Sequence, residues 1–237
     1  MKALILAAGI GSRLAPLTDN CPKALVKVNG EPIIIKQIDN LYKNHINEII
    51  IVSGYRADIL ESVVCADYPD ITIVNSPDYA NTNNMYSAYL AKGKLENTEF
   101  LMMNSDVFYD ASVIEKLIHC PEKNMVVTDI GNYLEESMKV VEQNGKLIKI
   151  SKEITKEEAL GSSIDVYKFS AEGGNAFFAK CTEYIEQKKK CNLWSEVALN
   201  DIFAEVKFVA CPLEGRWVEI DNLDDLKEAE EKFAKKS

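Results

Sequence analysis

The residues with the clearest chemical purpose stand together near the start of the chain. An apolar run from Ala3 to Ala8 leads into Gly9-Ile10-Gly11-Ser12-Arg13, and Pro22-Lys23 follows ten residues after Arg13. Paired glycines let a backbone take up positive φ and approach a ligand closely. Successive free N–H groups in such a turn, here from Gly9 to Ser12, form a concave anion site. Arg13 adds a planar fork of donors matched to phosphate oxygens. Lys23 adds a compact ammonium after a stiffened residue. A loop of this composition at a strand end reads as a triphosphate cradle. Two common phosphate loops are excluded. The dinucleotide fingerprint needs a third glycine where Leu14 stands, and the P-loop needs a Gly-Lys-Ser/Thr that does not follow.

Two carboxylates could complete such a site. Asp106 follows the apolar run Leu101-Met102-Met103, and Asp221 follows Trp217-Val218-Glu219-Ile220. Open α/β sheets bind ligands at the C-terminal ends of their strands. Mg²⁺ in nucleotide sites is held by one or two carboxylates together with phosphate oxygens. Strand alternation puts Glu219 on the same side as Asp221. Each aspartate also has a plainer use. Asp106 fits a turn or helix cap, a role Asp110 fills better, and Asp221 fits a cap ahead of the last helix.

The elements that must position these groups alternate. After the glycine loop the pattern predicts a helix over 33–44, a buried strand Ile-Ile-Ile-Val-Ser ending at Gly54, a helix over 57–64 and a short strand over 71–74. A helix over 84–92, a strand over 100–103, a helix over 111–119 and a strand over 125–128 continue the series. Strands alternating with helices indicate βαβ units and a mainly parallel sheet. Past residue 130 the character changes. Asn144-Gly145, a strong hairpin turn, lies between Lys139-Val-Val and Leu147-Ile-Lys-Ile. Ser163 to Phe169 reads as a strand, with Asp165 and Tyr167 on one face; 181–190, 195–204 and 223–235 read as helices. The expected fold is α/β and Rossmann-like: a mixed, mainly parallel central sheet flanked by helices, with an antiparallel-enriched C-terminal half. The whole of 1–237 is expected to be one domain, with a nucleotide-binding half over 1–130 and an acceptor-binding half over 131–237.

Composition narrows the partners. The chain has 237 residues, and 27 Lys and Arg against 37 Asp and Glu give a net charge of −10. Long-range attraction to nucleic acid or to an anionic membrane is not expected, so an anionic substrate must be held by local cations and metal. No apolar run reaches the length of a membrane span, and no secretory signal opens the chain. The six cysteines show no Cys-x-x-Cys spacing. They read as reduced thiols of a cytoplasmic protein. A homo-oligomer is compatible with all of this.

The run LAAGIGSRLAPLTDNCPKAL resembles the signature of nucleotidyltransferases that activate phosphorylated small molecules with an NTP. Gly9, Gly11, Arg13, Pro22 and Lys23 carry that likeness. It implies Lys23 and Arg13 as catalytic groups and Asp106 and Asp221 as Mg²⁺ ligands. Where the family often has Gly-Asp, this chain has Ser105-Asp106, a modest departure. The stretch from Tyr79 to Lys92, rich in Asn, with Ser87 and Tyr89-Leu90, is similar to the phosphocholine cytidylyltransferase branch. The nucleotide is then expected on Leu6, Ala8, Gly9, Gly11, Ser12, Asn81, Asn83, Asn84 and Ser87. An Asn amide offers both a donor and an acceptor, as cytosine recognition requires. Asn84 also fits a helix cap.

The implied reaction is transfer of CMP from CTP to a small phosphorylated or phosphonate acceptor, with pyrophosphate released. A quaternary ammonium acceptor would want an aromatic box, for which Tyr133, Tyr167, Trp194 and Trp217 are available. A primary amine would want carboxylates. Asp165, Tyr167, Trp194 and Glu196 are the expected acceptor contacts. Two alternatives stay open: a sugar-1-phosphate nucleotidyltransferase using UTP, dTTP or GTP, and a non-catalytic nucleotide-binding module on the same fold.

Overall fold

The computed structural model describes residues 1–234. Three apolar runs set the architecture, because strands buried on both faces cannot alternate with polar residues. β1 (Lys2–Ala7) sits between β4 (Ile49–Ser53) and β6 (Phe100–Asn104), parallel to both. The intervening chain supplies the short hairpin β2 (Lys27–Val28) and β3 (Glu31–Pro32), then α1 (Ile33–Lys43), α2 (Ala57–Asp67), β5 (Thr72–Asn75), α3 (Asn84–Leu90) and α4 (Lys92–Leu95). After β6 come β7 (Val107–Tyr109), α5 (Ser112–His119) and β8 (Met125–Ile130). The helix expected over 84–92 thus ends as two pieces, and the one expected over 57–64 runs a turn longer.

The second half is antiparallel where it joins the first. β9 (Lys139–Gln143) and β10 (Lys146–Ser151) form a hairpin through Asn144 and Gly145, whose φ values are 53° and 72°. Two successive positive φ angles are what the type I′ hairpin turn requires. β11 (Gly161–Phe169) is the hinge-pin of the sheet: its C-terminal part pairs with β6, its first residues pair with β9, and β8 lines its other edge. β12 (Val209–Pro212) adds to β8, giving nine strands in the order β10-β9-β11-β6-β1-β4-β5, with β8 beside β11 and β12 beyond β8. The register of β11 shifts between Ser163 and Tyr167, and Asp165 there has φ of 56°. A bulge of this kind re-aims a side chain next to a site.

The sheet has a core on each face, as period-2 alternation dictates. Ala3, Ile5 and Ile51 pack towards α1, α2 and α5. Leu4, Leu6 and Met102 pack towards α3, α6 (Ala171–Thr182) and α7 (Ser195–Ile202). α6 begins ten residues before the helix expected at 181, and its last turn continues as a π-helical segment, Glu183–Gln187. β13 (Trp217–Glu219) pairs with β7, and α8 (Leu223–Lys232) closes the described chain. The helix ends at Lys232, short of the expected end at Lys235, which itself lies outside the described residues.

Arg216 locks this last unit. Its backbone N–H, Nε and Nη2 donate to Asp110 at 2.9–3.0 Å, Nη1 donates to the Lys232 carbonyl, and the guanidinium lies 4.5 Å over the Phe233 ring. Asp110 therefore serves Arg216 and does not cap α5 with its side chain. Burial pushes the Asp110 carboxyl up, but the hydrogen bonds and charge of Arg216 outweigh it and hold the pKa below the ordinary value. A carboxyl lowered on folding adds stability above its ordinary pKa and loses it as pH falls through the folded value. Arg216→Ala should cost about 1 kcal/mol near neutral pH, since the pair is half-exposed. The gap in Tm between parent and variant should close as the pH drops below the carboxylate range, which thermal denaturation across pH will read.

Candidate active site

A small third core anchors the groups that matter. Leu14 at the end of the glycine loop is buried with Val26, Ile33, Phe108, Val218 and Ile220. This cluster ties the loop, the start of α1, β7 and β13 to one another. Gly11 has φ of +70°, and a Cβ on it would lie 2.8 Å from Cβ of Lys23. The Thr18 hydroxyl donates to the Gly11 carbonyl at 2.9 Å and holds the turn. Gly11 thus makes room for the Lys23 stem and does not line the cleft; Ser12 is exposed and also outside it. Gly11→Ala should lose about 1–2 kcal/mol from the left-handed backbone alone. By displacing Lys23 it should also slow turnover on the order of tenfold. Thermal denaturation and a pyrophosphate-release assay check the two effects separately.

Lys23 points its ammonium between two carboxylates. Nζ donates to Asp106 Oδ2 at 2.9 Å and to Asp221 Oδ1 at 2.6 Å. Arg13 Nη2 reaches Asp221 Oδ2 at 2.7 Å. The β7–β13 ladder explains why Asp106 and Asp221 meet: Val107 is opposite Glu219, and the Ile220 N–H donates to the Asp106 carbonyl. Gln37 fixes the turn that bears Asp106 by donating to the carbonyls of Asn104 and Val107, both at 2.9 Å. Asp221 is left free for the cleft because Asn222 and Asp225 form the capping box of α8. Its plainer use as a cap is therefore taken by its neighbour.

The charges are strongly coupled. Burial alone would lower the Lys23 pKa, but Asp106 and Asp221 together raise it. Burial would likewise raise Asp221; Lys23 and Arg13 bring it below the ordinary value. Glu219 lies beside them and accepts a hydrogen bond from Ser137 at 2.8 Å. Burial and the charges of Asp106 and Asp221 push its pKa up to about 7. Carboxylate oxygens of Asp106, Glu219 and Asp221 lie within 4.8 Å of one another. Among the described residues, Asp106 Oδ1 is buried without a hydrogen-bond partner. An orphaned anionic oxygen in an all-oxygen donor set suits a hard divalent cation.

These groups line one end of a cleft of 260 Å³. Of the residues expected to contact nucleotide or acceptor, Leu6, Ala8, Gly9, Asn83, Asn84, Ser87, Asp165, Trp194 and Glu196 line this cleft. Asn83, not Asn84, caps α3, accepting from the Asn84 N–H at 2.8 Å, and Asn84 Oδ1 accepts from the Ser195 N–H. Asn81 stands apart: it is exposed and donates to Asp78 at 2.8 Å. Tyr167 is fully buried beneath the cleft and bonded to Asp165 and Glu196. Trp217 is buried with its Nε1–H on Asp129, and Tyr133 stacks against the ammonium of Lys139. Neither belongs to a box around an acceptor. Lys152, Tyr79, Met138 and Asn104 also line the cleft. Lys152 follows the Asn-Gly hairpin, which was legible, but nothing in its local pattern marks it as more than a surface lysine.

The profile of the family described as Nucleotidyl transferase matches residues 2–236. The chain belongs to the nucleotidyl transferase family. Among relatives of this nucleotidyl transferase is the CTP:phosphoglutamine cytidylyltransferase of Campylobacter jejuni, 29% identical over 95% of this chain and 98% of that one. The choline-phosphate cytidylyltransferase of Streptococcus pneumoniae is 43% identical over 108 residues, 46% of each chain. The solved structure of the CTP:phosphocholine cytidylyltransferase from Streptococcus pneumoniae superposes with a TM-score of 0.78 at 28% identity, covering 97% of both chains. A glucose-1-phosphate thymidylyltransferase structure from Bacillus anthracis, at 18% identity and a TM-score of 0.80, shares the fold. No helix among the described residues is long and apolar enough to cross a membrane.

Proposed function

We propose that this nucleotidyl transferase moves CMP from CTP onto the phosphate or phosphonate of a small acceptor and releases pyrophosphate. The observation that carries the reading is the Lys23 ammonium set between Asp106 and Asp221, in a cleft that opens on one side to Gly9 and Arg13 and on the other to Asp165 and Glu196. Relatives named as CTP-dependent cytidylyltransferases support the choice of nucleotide. So do the side-chain amides of Asn83 and Asn84, whose oxygens are held by the Asn84 and Ser195 N–H groups and whose NH2 groups are left to donate to the acceptor edge of a cytosine.

Phosphoryl chemistry of this kind rests on positioning and charge neutralisation. The acceptor oxygen attacks the α-phosphorus in line, and the bond to the β-phosphate oxygen breaks. The acceptor phosphate is already anionic, so no general base is needed. Arg13 and the backbone at Gly9 hold the departing phosphates. Lys23 neutralises charge that builds on the α-phosphate. Asp106 and Asp221, with Glu219 beside them, are the residues to hold Mg²⁺, which when bound supplies further neutralisation at the phosphates. All six cysteines are unpaired, and we take the cytoplasm as the compartment.

A grid assay tests the reading. Pyrophosphate release with Mg²⁺ is measured for four NTPs against phosphocholine, phosphoethanolamine, 2-aminoethylphosphonate, a phosphorylated amino acid and glucose-1-phosphate. Release with CTP and an amine-bearing acceptor is expected. Release only with UTP or dTTP and the sugar phosphate would overturn the proposal.

A further inference from the structure

We infer that the acceptor presents a primary ammonium group, taken up by Glu196 and Asp165, and not a quaternary one. The inference rests on the cytidylyltransferase reading of the cleft and sharpens it.

Two observations carry it. The first is a shortage of donors. Glu196 is only 3% exposed, yet it lines the cleft, and among the described residues its Oε2 accepts no hydrogen bond. Its other oxygen and Asp165 Oδ1 both lie on the one hydroxyl of Tyr167, at 2.7 and 2.9 Å. A phenol has a single proton, so it satisfies one carboxylate at a time. Asn104 donates to Asp165 Oδ2 at 2.9 Å, the Ser163 hydroxyl to Asp165 Oδ1 at 3.5 Å and the Ser195 hydroxyl to Glu196 Oε1 at 3.1 Å, so Glu196 Oε2 is the carboxylate oxygen of this pair left without a donor among the described residues. A carboxylate oxygen that reaches the cleft from an otherwise buried residue, with no protein donor, is open to a donor from the ligand. A primary ammonium brings three N–H groups and a positive charge; a quaternary ammonium brings the charge and no donor.

The second observation is the absence of a cage. A quaternary ammonium is held by open aromatic faces. Tyr79 and Trp194 are the aromatic residues on the cleft. Trp194 already has a cation, with the Lys152 Nζ 5.6 Å from its ring centroid. Tyr79 packs edge-on to Tyr55 at 6.0 Å. Neither leaves a free multi-walled pocket beside Glu196.

The test is a methylation series on the unmodified enzyme: phosphoethanolamine, its N-methyl and N,N-dimethyl forms, and phosphocholine, each with CTP and Mg²⁺. kcat/KM should fall with each methyl and by at least about a hundredfold across the series, because each step removes a donor from a site that needs it. Glu196→Gln should lower kcat/KM for phosphoethanolamine at least tenfold and narrow the ratio to phosphocholine, with the Kd of CTP unchanged by calorimetry. Phosphocholine used as well as phosphoethanolamine, an unchanged ratio in Glu196→Gln, or no release with any of the four would overturn the inference. Calorimetry separates the two readings. If CTP binds and these results are seen, the ammonium assignment alone falls. If CTP does not bind, the cytidylyltransferase reading falls with it.

Discussion

Lys23→Ala is expected to reduce pyrophosphate release by about a hundredfold or more, the scale of losing one preorganised charge at a developing transition state. Lys23 makes two ion pairs through one atom, at 2.9 and 2.6 Å, with its side chain 12% exposed. It is therefore held in place before substrate arrives, and no reorganisation is needed when charge builds on the α-phosphate. The alanine variant keeps the loop, since Gly11 and Leu14 shape the turn without the lysine head. Its circular dichroism should match the parent. Lys23→Arg should not restore the rate, because a planar fork cannot replace a compact ammonium between two carboxylates. A folded alanine variant with turnover within threefold of the parent would remove Lys23 from the reaction.

Asp221→Asn should be the second large loss, on the order of a hundredfold in turnover at low Mg²⁺, shrinking as Mg²⁺ is raised. Asp221 joins Lys23, Arg13 and the acidic group of Asp106 and Glu219. The amide keeps the size of the side chain and one acceptor oxygen, so the capping box of α8 is undisturbed. What it removes is the negative charge. A titration of activity against Mg²⁺ distinguishes this from a packing effect: the midpoint should move up at least tenfold. An unchanged midpoint would mean that Asp221 serves Arg13 and Lys23 alone.

The glycine loop, the parallel strands and the two aspartates that meet beside Lys23 are legible because each has a local signature. Strands buried on both faces read as unbroken apolar runs, and the Gly-x-Gly-x-Arg and Pro-Lys spacings are chemical. The misses have physical causes. α6 starts ten residues ahead of the expected helix, and Gly173 and Gly174 lie in its first turn, where glycine is a poor helix former. In the fold they are contact requirements, since a Cβ on Gly174 would run into the Phe100 ring and one on Gly173 into the Asn124 amide. Tyr167 shares a face of β11 with Asp165, yet its ring is core and its hydroxyl alone meets the carboxylates of Asp165 and Glu196. Trp217 carried no sign that its indole N–H is spent on Asp129. Glu219 was visible only through strand alternation. Lys152 acquires its place by tertiary approach alone, and no pattern within one segment can announce that.

The pairing of β11 with β6 also bears on how such a molecule can be taken apart or recombined. Val166 to Phe169 pair with Phe100 to Met103, so β6, the outermost of the parallel strands β6-β1-β4-β5, has its edge covered by a strand from beyond residue 130. A fragment ending at residue 130 would expose that edge, with the large apolar side chains of Phe100 and Met102 along it. An uncovered, apolar edge recruits strands from other molecules. The first half is thus not a portable module. A chimaera that grafts it onto a foreign acceptor-binding segment must import a strand equivalent to β11, in register, or it will precipitate before it can be assayed.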